Sequence, residues 1–237
     1  MKVLGIIPAR GGSKGLRDKN IRSLLGKPVI YYTIKHALNS EVIDKVVVST
    51  EDAKIAKIVE GYGVQVIKRP KDLATDNAPI ELSLRHAVRY LEHNGYLADL
   101  IVLLYANVPV RDKGIIEKAV NYLIETKADS VLSFKNVGKF HPEWMFRLDK
   151  EKRAIPFMRS NIFRRQDLSP LYIHDGAVTV IRKDVLMQTE GKSGLYSFMG
   201  EDIRGIIQDG YTVDIDSLLD FELAKVLLNN RNLMVDD

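Results

Sequence analysis

The 237-residue sequence has no cysteine, which excludes disulfides, thiolate metal sites and cysteine nucleophiles together. It has no apolar run near the roughly 18 residues that a membrane helix needs. Its apolar opening, Leu4-Gly5-Ile6-Ile7-Pro8, is too short for a secretory leader and lacks a small-residue cleavage site. A cytoplasmic protein without a membrane span is therefore expected. Charge of one sign is also scarce: 35 Lys and Arg face 31 Asp and Glu, a net of +4. That excess is too small and too dispersed for a nucleic-acid binder, which carries a basic stripe. Internal repeats and low-complexity tracts are missing as well. What remains is a chain with 46% hydrophobic residues, enough to form a buried core.

Short apolar runs alternate with longer amphipathic ones. Val3–Ile7, Val46–Val48, Leu100–Leu104, Ser130–Ser133 and Ala177–Ile181 read as buried strands. Continuous apolar runs of this length suit a parallel sheet covered on both faces. The clearest helical pattern runs from about Ala78 to His93, with Leu84, Val88 and Leu91 on one stripe and Asn77 as its expected N-cap. The alternation predicts an α/β fold with a Rossmann-like, doubly wound, mostly parallel sheet. Between about Val137 and Tyr172 it breaks into a basic, aromatic stretch. That stretch is read as an excursion from one domain spanning 1–237 and not as a second domain.

The chemistry concentrates after the first strand, in Ile7-Pro8-Ala9-Arg10-Gly11-Gly12-Ser13-Lys14-Gly15-Leu16-Arg17-Asp18-Lys19-Asn20. Open α/β sheets bind ligands beyond the carboxyl ends of their strands. Three glycines allow backbone N–H groups to approach a ligand closely, and Arg10, Lys14, Arg17 and Lys19 place four cations within ten residues. Such a loop suits a triphosphate. It is neither a Walker A loop nor a dinucleotide fingerprint, because neither glycine spacing is present. Gly11-Gly12-Ser13-Lys14-Gly15 does match G-x-S-x-G, so a hydrolase using Ser13 is the alternative. Against it, about a dozen irregular residues separate Ser13 from the next helical pattern near Tyr31.

The string IPARGGSKGLRDKN resembles the N-terminal signature of the acylneuraminate cytidylyltransferases, which activate sialic acids, and is similar to that of their 3-deoxy-manno-octulosonate relatives. Four further matches follow in family order: Val48-Ser49-Thr50-Glu51-Asp52, Arg69 to Asp76, Asp175-Gly176-Ala177 (the family reads Asn-Gly-Ala) and Val213-Asp214-Ile215-Asp216. The resemblance implies transfer of CMP from CTP to the anomeric hydroxyl of an acidic 2-keto-3-deoxy sugar, with release of pyrophosphate. On it, Ala9, Arg10, Gly11, Gly12, Ser13, Lys19 and Asn20 bind the nucleotide, and Arg69 and Asp76 belong to a loop that closes on it. Arg10 and Lys19 also offset the charge of the leaving pyrophosphate. A CTP-binding relative without turnover is a further alternative.

Asp214 and Asp216 lie two apart, so an extended backbone sends both carboxylates to one face. Ser217 and Asp220 read as the start of a helix beyond them. Asp-x-Asp before a helix is by default a capped turn; position in the ordered set favours a site for Mg²⁺ or Mn²⁺, with Asp216 counted among the catalytic groups. The sugar side departs from the family. Tyr105 stands where the sialic acid enzymes carry a glutamine, with Asn107 as its substitute, and Glu143-Trp144 stands where a lysine is expected. Arg165, ten residues before Asp175, falls where the family places an arginine for the sugar carboxylate. Tyr105, Asn107, Arg165 and Asp175 are accordingly the expected sugar contacts. The resemblance also implies a homodimer built through the excursion.

Overall fold

The computed structural model describes residues 1–12, 15–192 and 194–230. Ser13, with both its proposed roles, lies outside the described residues. The first strand, β1 (Val3–Pro8), is buried at every position because the sheet is covered on both sides. Val3 and Ile7 enter one apolar cluster, and Leu4 and Ile6 enter the other. Alternate side chains leave opposite faces of a strand, so two covered faces produce an unbroken apolar run.

A small hairpin of β2 (Ser23–Leu24) and β3 (Lys27–Pro28) leads into helix α1 (Val29–Leu38). The alternation continues with β4 (Lys45–Thr50), α2 (Ala53–Glu60), β5 (Gln65–Lys68) and α3 (Ile80–His93). Next come β6 (Leu100–Leu103), α4 (Ile115–Thr126) and β7 (Ser130–Asn136). The excursion carries a hairpin of β8 (Phe146–Leu148) and β9 (Ala154–Pro156), before β10 (Tyr172–Arg182), α5 (Lys183–Gln188), β11 (Ile203–Ile207) and α6 (Leu218–Asn229).

Seven strands form one sheet in the order β11-β7-β10-β6-β1-β4-β5. The expected α/β, mostly parallel architecture is present, with one difference: β10 runs antiparallel between β6 and β7. Its apolar run reads as a parallel strand because burial on both faces gives the same pattern in either direction. The reversal matters for the site. Thr179 pairs with Leu103 and Arg182 with Leu100, so the residues just before Thr179 reach past the carboxyl end of β6. Between His174 and Thr179 the pairing slips, and Asp175 and Gly176 project there. β1, β4, β5 and β6 are mutually parallel, so their following loops open at the same edge.

The helix starts follow local chemistry. Asp52 caps α2 by accepting from Lys54 N and Ile55 N, and Ser217 and Asp220 form the reciprocal capping box of α6. At α3 the expected start is corrected: the helix begins at Ile80, preceded by Pro79 with no side-chain cap. A proline disfavours helical geometry in the residue before it, which keeps Ala78 out of the helix and leaves Asn77 too far upstream to cap it.

Candidate active site

At the carboxyl edge, the loop after β1 and the segment after β11 face each other. Asn20 is 5% exposed; its amide donates to Arg10 O at 3.0 Å, while its Oδ1 has no partner within the described residues. A buried acceptor left unpaired beside Arg10 is a group awaiting a donor. Lys19 Nζ donates to Asp216 Oδ1 at 2.6 Å, and Arg10 Nη1 to Asp76 Oδ1 at the same distance. Both cations expected to meet phosphate therefore hold carboxylates here. Ala9 is buried, its N–H donating to Ser49 O at 2.9 Å, so it anchors the loop to β4.

Two glycines are required by close approach. A Cβ on Gly11 would lie 2.5 Å from Asp52 Oδ2, and one on Gly15 would lie 2.5 Å from Asp216 O. Gly12 is held at φ +62°, a left-handed value that glycine adopts at little cost. The Gly11 N–H donates to Glu51 Oε1 at 2.7 Å. Glu51 in turn receives Arg69 Nε and Nη2 on its other oxygen at 3.0 and 2.9 Å, and Arg69 Nη1 donates to Ser83 Oγ at 2.9 Å. Arg69 is 5% exposed. It sits behind the loop and steadies it through Glu51, with three of its five N–H donors engaged.

The opposite wall is the acidic segment. Val213 bridges to Val110, and Val213 and Ile215 are buried while Asp214 and Asp216 point outward. The one-face expectation for the two carboxylates is thus realised. Asn107 fixes this segment: its Nδ2 donates to Asp214 Oδ1 and, at 3.3 Å, to Ile215 O, while Ile215 N donates to Asn107 O at 2.9 Å. Crowding by protein raises the pKa of Asp214, accessible though it is to water, and Asp216 raises it further while Lys19 opposes. Repulsion between two carboxylates is relieved by a cation, and a lysine ammonium already stands against the pair. In donor chemistry and charge these residues fit Mg²⁺ or Mn²⁺, hard ions that take oxygen ligands and keep several waters. Among the described residues no group of three or more His, Cys, Asp or Glu gathers as a cation site, so other ligands would be water and substrate oxygens.

Beneath this wall lies Arg111, 1% exposed. It donates to Ala177 O at 2.6 Å, Tyr105 O and Thr33 Oγ1 at 2.9 Å each, and Val108 O. Burial pulls its pKa down to about 9, with Asp175 and Asp214 opposing. Arg111 so pins the Tyr105–Val108 turn to α1 and β10. Tyr105 rests beside Gly176, whose added Cβ would lie 3.5 Å from its ring. Burial, then the neighbouring Asp214, Tyr196 and Glu81, push its phenol up to about 12, so it is a neutral donor and acceptor. Tyr196 also meets His174 edge-on, ring centroids 6.5 Å apart. Asp175 is 6% exposed; it accepts from Ser133 Oγ at 2.5 Å and Ala177 N at 3.0 Å, and from Thr212 Oγ1 at 3.4 Å. Its carboxylate braces the cleft floor. Arg165 stands apart from this group, lining a hollow with Asn136, Gly138 and His141 at the root of the excursion.

The geometry joins a glycine loop with two cations, a facing carboxylate pair and an aromatic turn at one sheet edge. The family model described as cytidylyltransferase matches residues 4–230. The chain belongs to that family. Cytidylyltransferase relatives align across it: an N-acylneuraminate cytidylyltransferase of Escherichia coli is 33% identical over 98% of this chain and 53% of its own length. A pseudaminic acid cytidylyltransferase of Campylobacter jejuni is 30% identical over 96% of each chain. The chain spans about half the length of the N-acylneuraminate cytidylyltransferases it matches. Among solved structures, a CMP:2-keto-3-deoxy-manno-octonic acid synthetase complexed with CTP superposes with TM-score 0.74, at 18% identity, covering 98% of this chain and 100% of its own; it supports the fold.

Several cleft residues went unassigned from sequence. Glu51 stands in a quoted motif, but its link to Gly11 and Arg69 spans 40 and 18 positions, which no local spacing reveals. Arg111 and Tyr196 are isolated in sequence and acquire roles only through folding. No helix among the described residues is long and apolar enough to cross a membrane.

Proposed function

We propose that the protein transfers CMP from CTP to the anomeric hydroxyl of an acidic 2-keto-3-deoxy sugar and releases pyrophosphate. The observation that carries this reading is the contact of Lys19 with Asp216, which sets the loop that also bears Arg10 beside the Asp214–Asp216 pair in a cytidylyltransferase cleft. Relatives named for sialic and pseudaminic acids, and a 28% identical CMP-N,N'-diacetyllegionaminic acid synthase of Legionella pneumophila, support the sugar class. Arg10 and Lys19 hold the phosphates and stabilise charge that grows on the departing pyrophosphate. Asn20 holds the nucleotide loop in shape through its bond to Arg10 O. Asp214 and Asp216 would hold Mg²⁺ or Mn²⁺, which when bound neutralises phosphate charge and acidifies a nearby hydroxyl. Asn107 and Arg111 keep that segment and Tyr105 in place, and Tyr105 faces the sugar as a neutral hydroxyl. The protein is cytoplasmic in this reading.

A homodimer belongs to the same proposal. Phe146 and Leu148, on one face of the β8–β9 hairpin, are 60% and 67% exposed, Ile155 on its other face is 51% exposed, and Phe163 is 89% exposed. Exposed apolar clusters of this kind mark interfaces, and a two-fold copy would cover them and bring Arg165 toward the partner's cleft. A fully active monomer in sedimentation at micromolar concentration would refute it. The defining experiment measures pyrophosphate release with four nucleotides against a panel of sugar acids. CTP with a nonulosonic acid should give the highest kcat/KM, with N-acetylneuraminate below the best; no turnover with any pair would overturn the reading.

A further inference from the structure

We infer that Lys19 occupies the cation seat of the acidic pair, so that phosphate must draw Lys19 away before a divalent ion can bind there. The inference rests on the cytidylyl-transfer reading. Its basis is geometric. Lys19 Nζ lies 2.6 Å from Asp216 Oδ1, and the lysine side chain is only 15% exposed against 72% for Asp216. The ammonium is thus withdrawn from solvent while the carboxylate it meets remains open to it.

Two further contacts couple the loop to this segment. Gly15 packs so tightly on Asp216 O that a Cβ would lie 2.5 Å from it, so the loop lies directly against the segment that bears Asp216. Arg10 is likewise engaged with Asp76, so both phosphate-seeking cations hold carboxylates before nucleotide arrives. A triphosphate competes for them with greater charge, since phosphate carries more negative charge than one carboxylate and accepts several charge-assisted bonds. Once Lys19 turns to phosphate, Asp214 and Asp216 are left as like charges with no cation between them, and the affinity for a divalent ion rises. The consequence is an order of assembly: nucleotide first or together with metal, and little metal on the empty protein. This arrangement offsets part of the charge of the acidic pair and ties metal capture to the presence of the substrate it will serve.

The test is direct Mn²⁺ binding without nucleotide, read by electron paramagnetic resonance of free Mn²⁺ and by calorimetry. Lys19→Met should bind one Mn²⁺ at least about tenfold more tightly than wild type, because a like charge close to the ion has been removed. Adding Asp216→Asn to Lys19→Met should abolish the gain, which locates the ion. Circular dichroism on each variant checks the fold. Equal Mn²⁺ affinity in wild type and Lys19→Met, whether tight in both or absent in both, would overturn the inference. So would a gain that survives Asp216→Asn. Failure of the functional reading looks different: wild type would then neither bind CTP in calorimetry nor release pyrophosphate.

Discussion

Replacing Arg111 by methionine tests how the cleft is held. The substitution keeps much of the apolar stem and removes a fully buried guanidinium that donates to three backbone carbonyls and to Thr33. Two effects oppose. Relief of the buried charge favours the variant: burial draws the pKa from 12.5 to about 9, and each unit corresponds to about 1.4 kcal/mol, or about 5 kcal/mol in all. Against this, a hydrogen bond from a charged donor contributes about 1.5–3 kcal/mol and a stranded buried acceptor costs about 1–3 kcal/mol. Four lost charged-donor bonds outweigh that relief by about 3 kcal/mol, even though Tyr105 O keeps Val108 N as a donor and Thr33 Oγ1 still donates to Tyr105 O and Val108 O. For a chain of this size that lowers the melting temperature by about 6–12 °C. The turn bearing Tyr105 and Asn107 also loses its anchor, so kcat/KM should fall more than tenfold in protein that is still folded at the assay temperature. Arg111→Lys, which keeps one donor group, should fall between. Calorimetric melting and steady-state kinetics on both variants decide it. A methionine variant that melts within about 2 °C of wild type with unchanged kcat/KM would refute the anchoring role.

Lys19→Ala should cut turnover more than tenfold at unchanged melting temperature, since loss of one preorganised charge contact at the transition state costs about 3 kcal/mol; equal rates would remove Lys19 from the mechanism. Asp216→Asn should abolish most Mg²⁺-dependent turnover with little change in melting, whereas a purely capping role would give near-normal turnover and lose about 1 kcal/mol of stability. His36 carries a pH signature. Burial, then the charges of Arg111 and Lys35, lower its pKa from 6.5 to about 4 against an opposing hydrogen bond to Pro109. As pH falls below about 6.5 the unfolded chain takes up this proton first, so stability drops through the window down to pH 4, by at most about 3 kcal/mol. His36→Gln should flatten that part of the denaturation-against-pH curve; a superimposable curve would refute the assignment.

The sheet was legible because apolar runs report burial on two faces. β1, β4, β6, β7 and β10 all fall on predicted runs, and the glycine loop and Asp-x-Asp segment lie at the carboxyl edge of the parallel strands. Local rules also located the start of α6, since Ser217 and Asp220 are three residues apart. They misplaced the start of α3, where Pro79 outweighed Asn77. Direction was not legible: nothing in Ala177–Ile181 says that β10 runs backwards, because burial has no polarity along the chain. Nor were the partners of the site residues. Lys19 meets Asp216 across 197 positions and Arg10 meets Asp76 across 66, and these pairings arise only when the sheet brings its loops to one edge. Residue type and spacing in the sequence singled out the candidate side chains. The tertiary structure decided which of them face the cleft and which hold it from behind, because an arginine such as Arg69 or Arg111 reads the same in sequence whether its guanidinium points at a substrate or at the protein's own carboxylates and carbonyls.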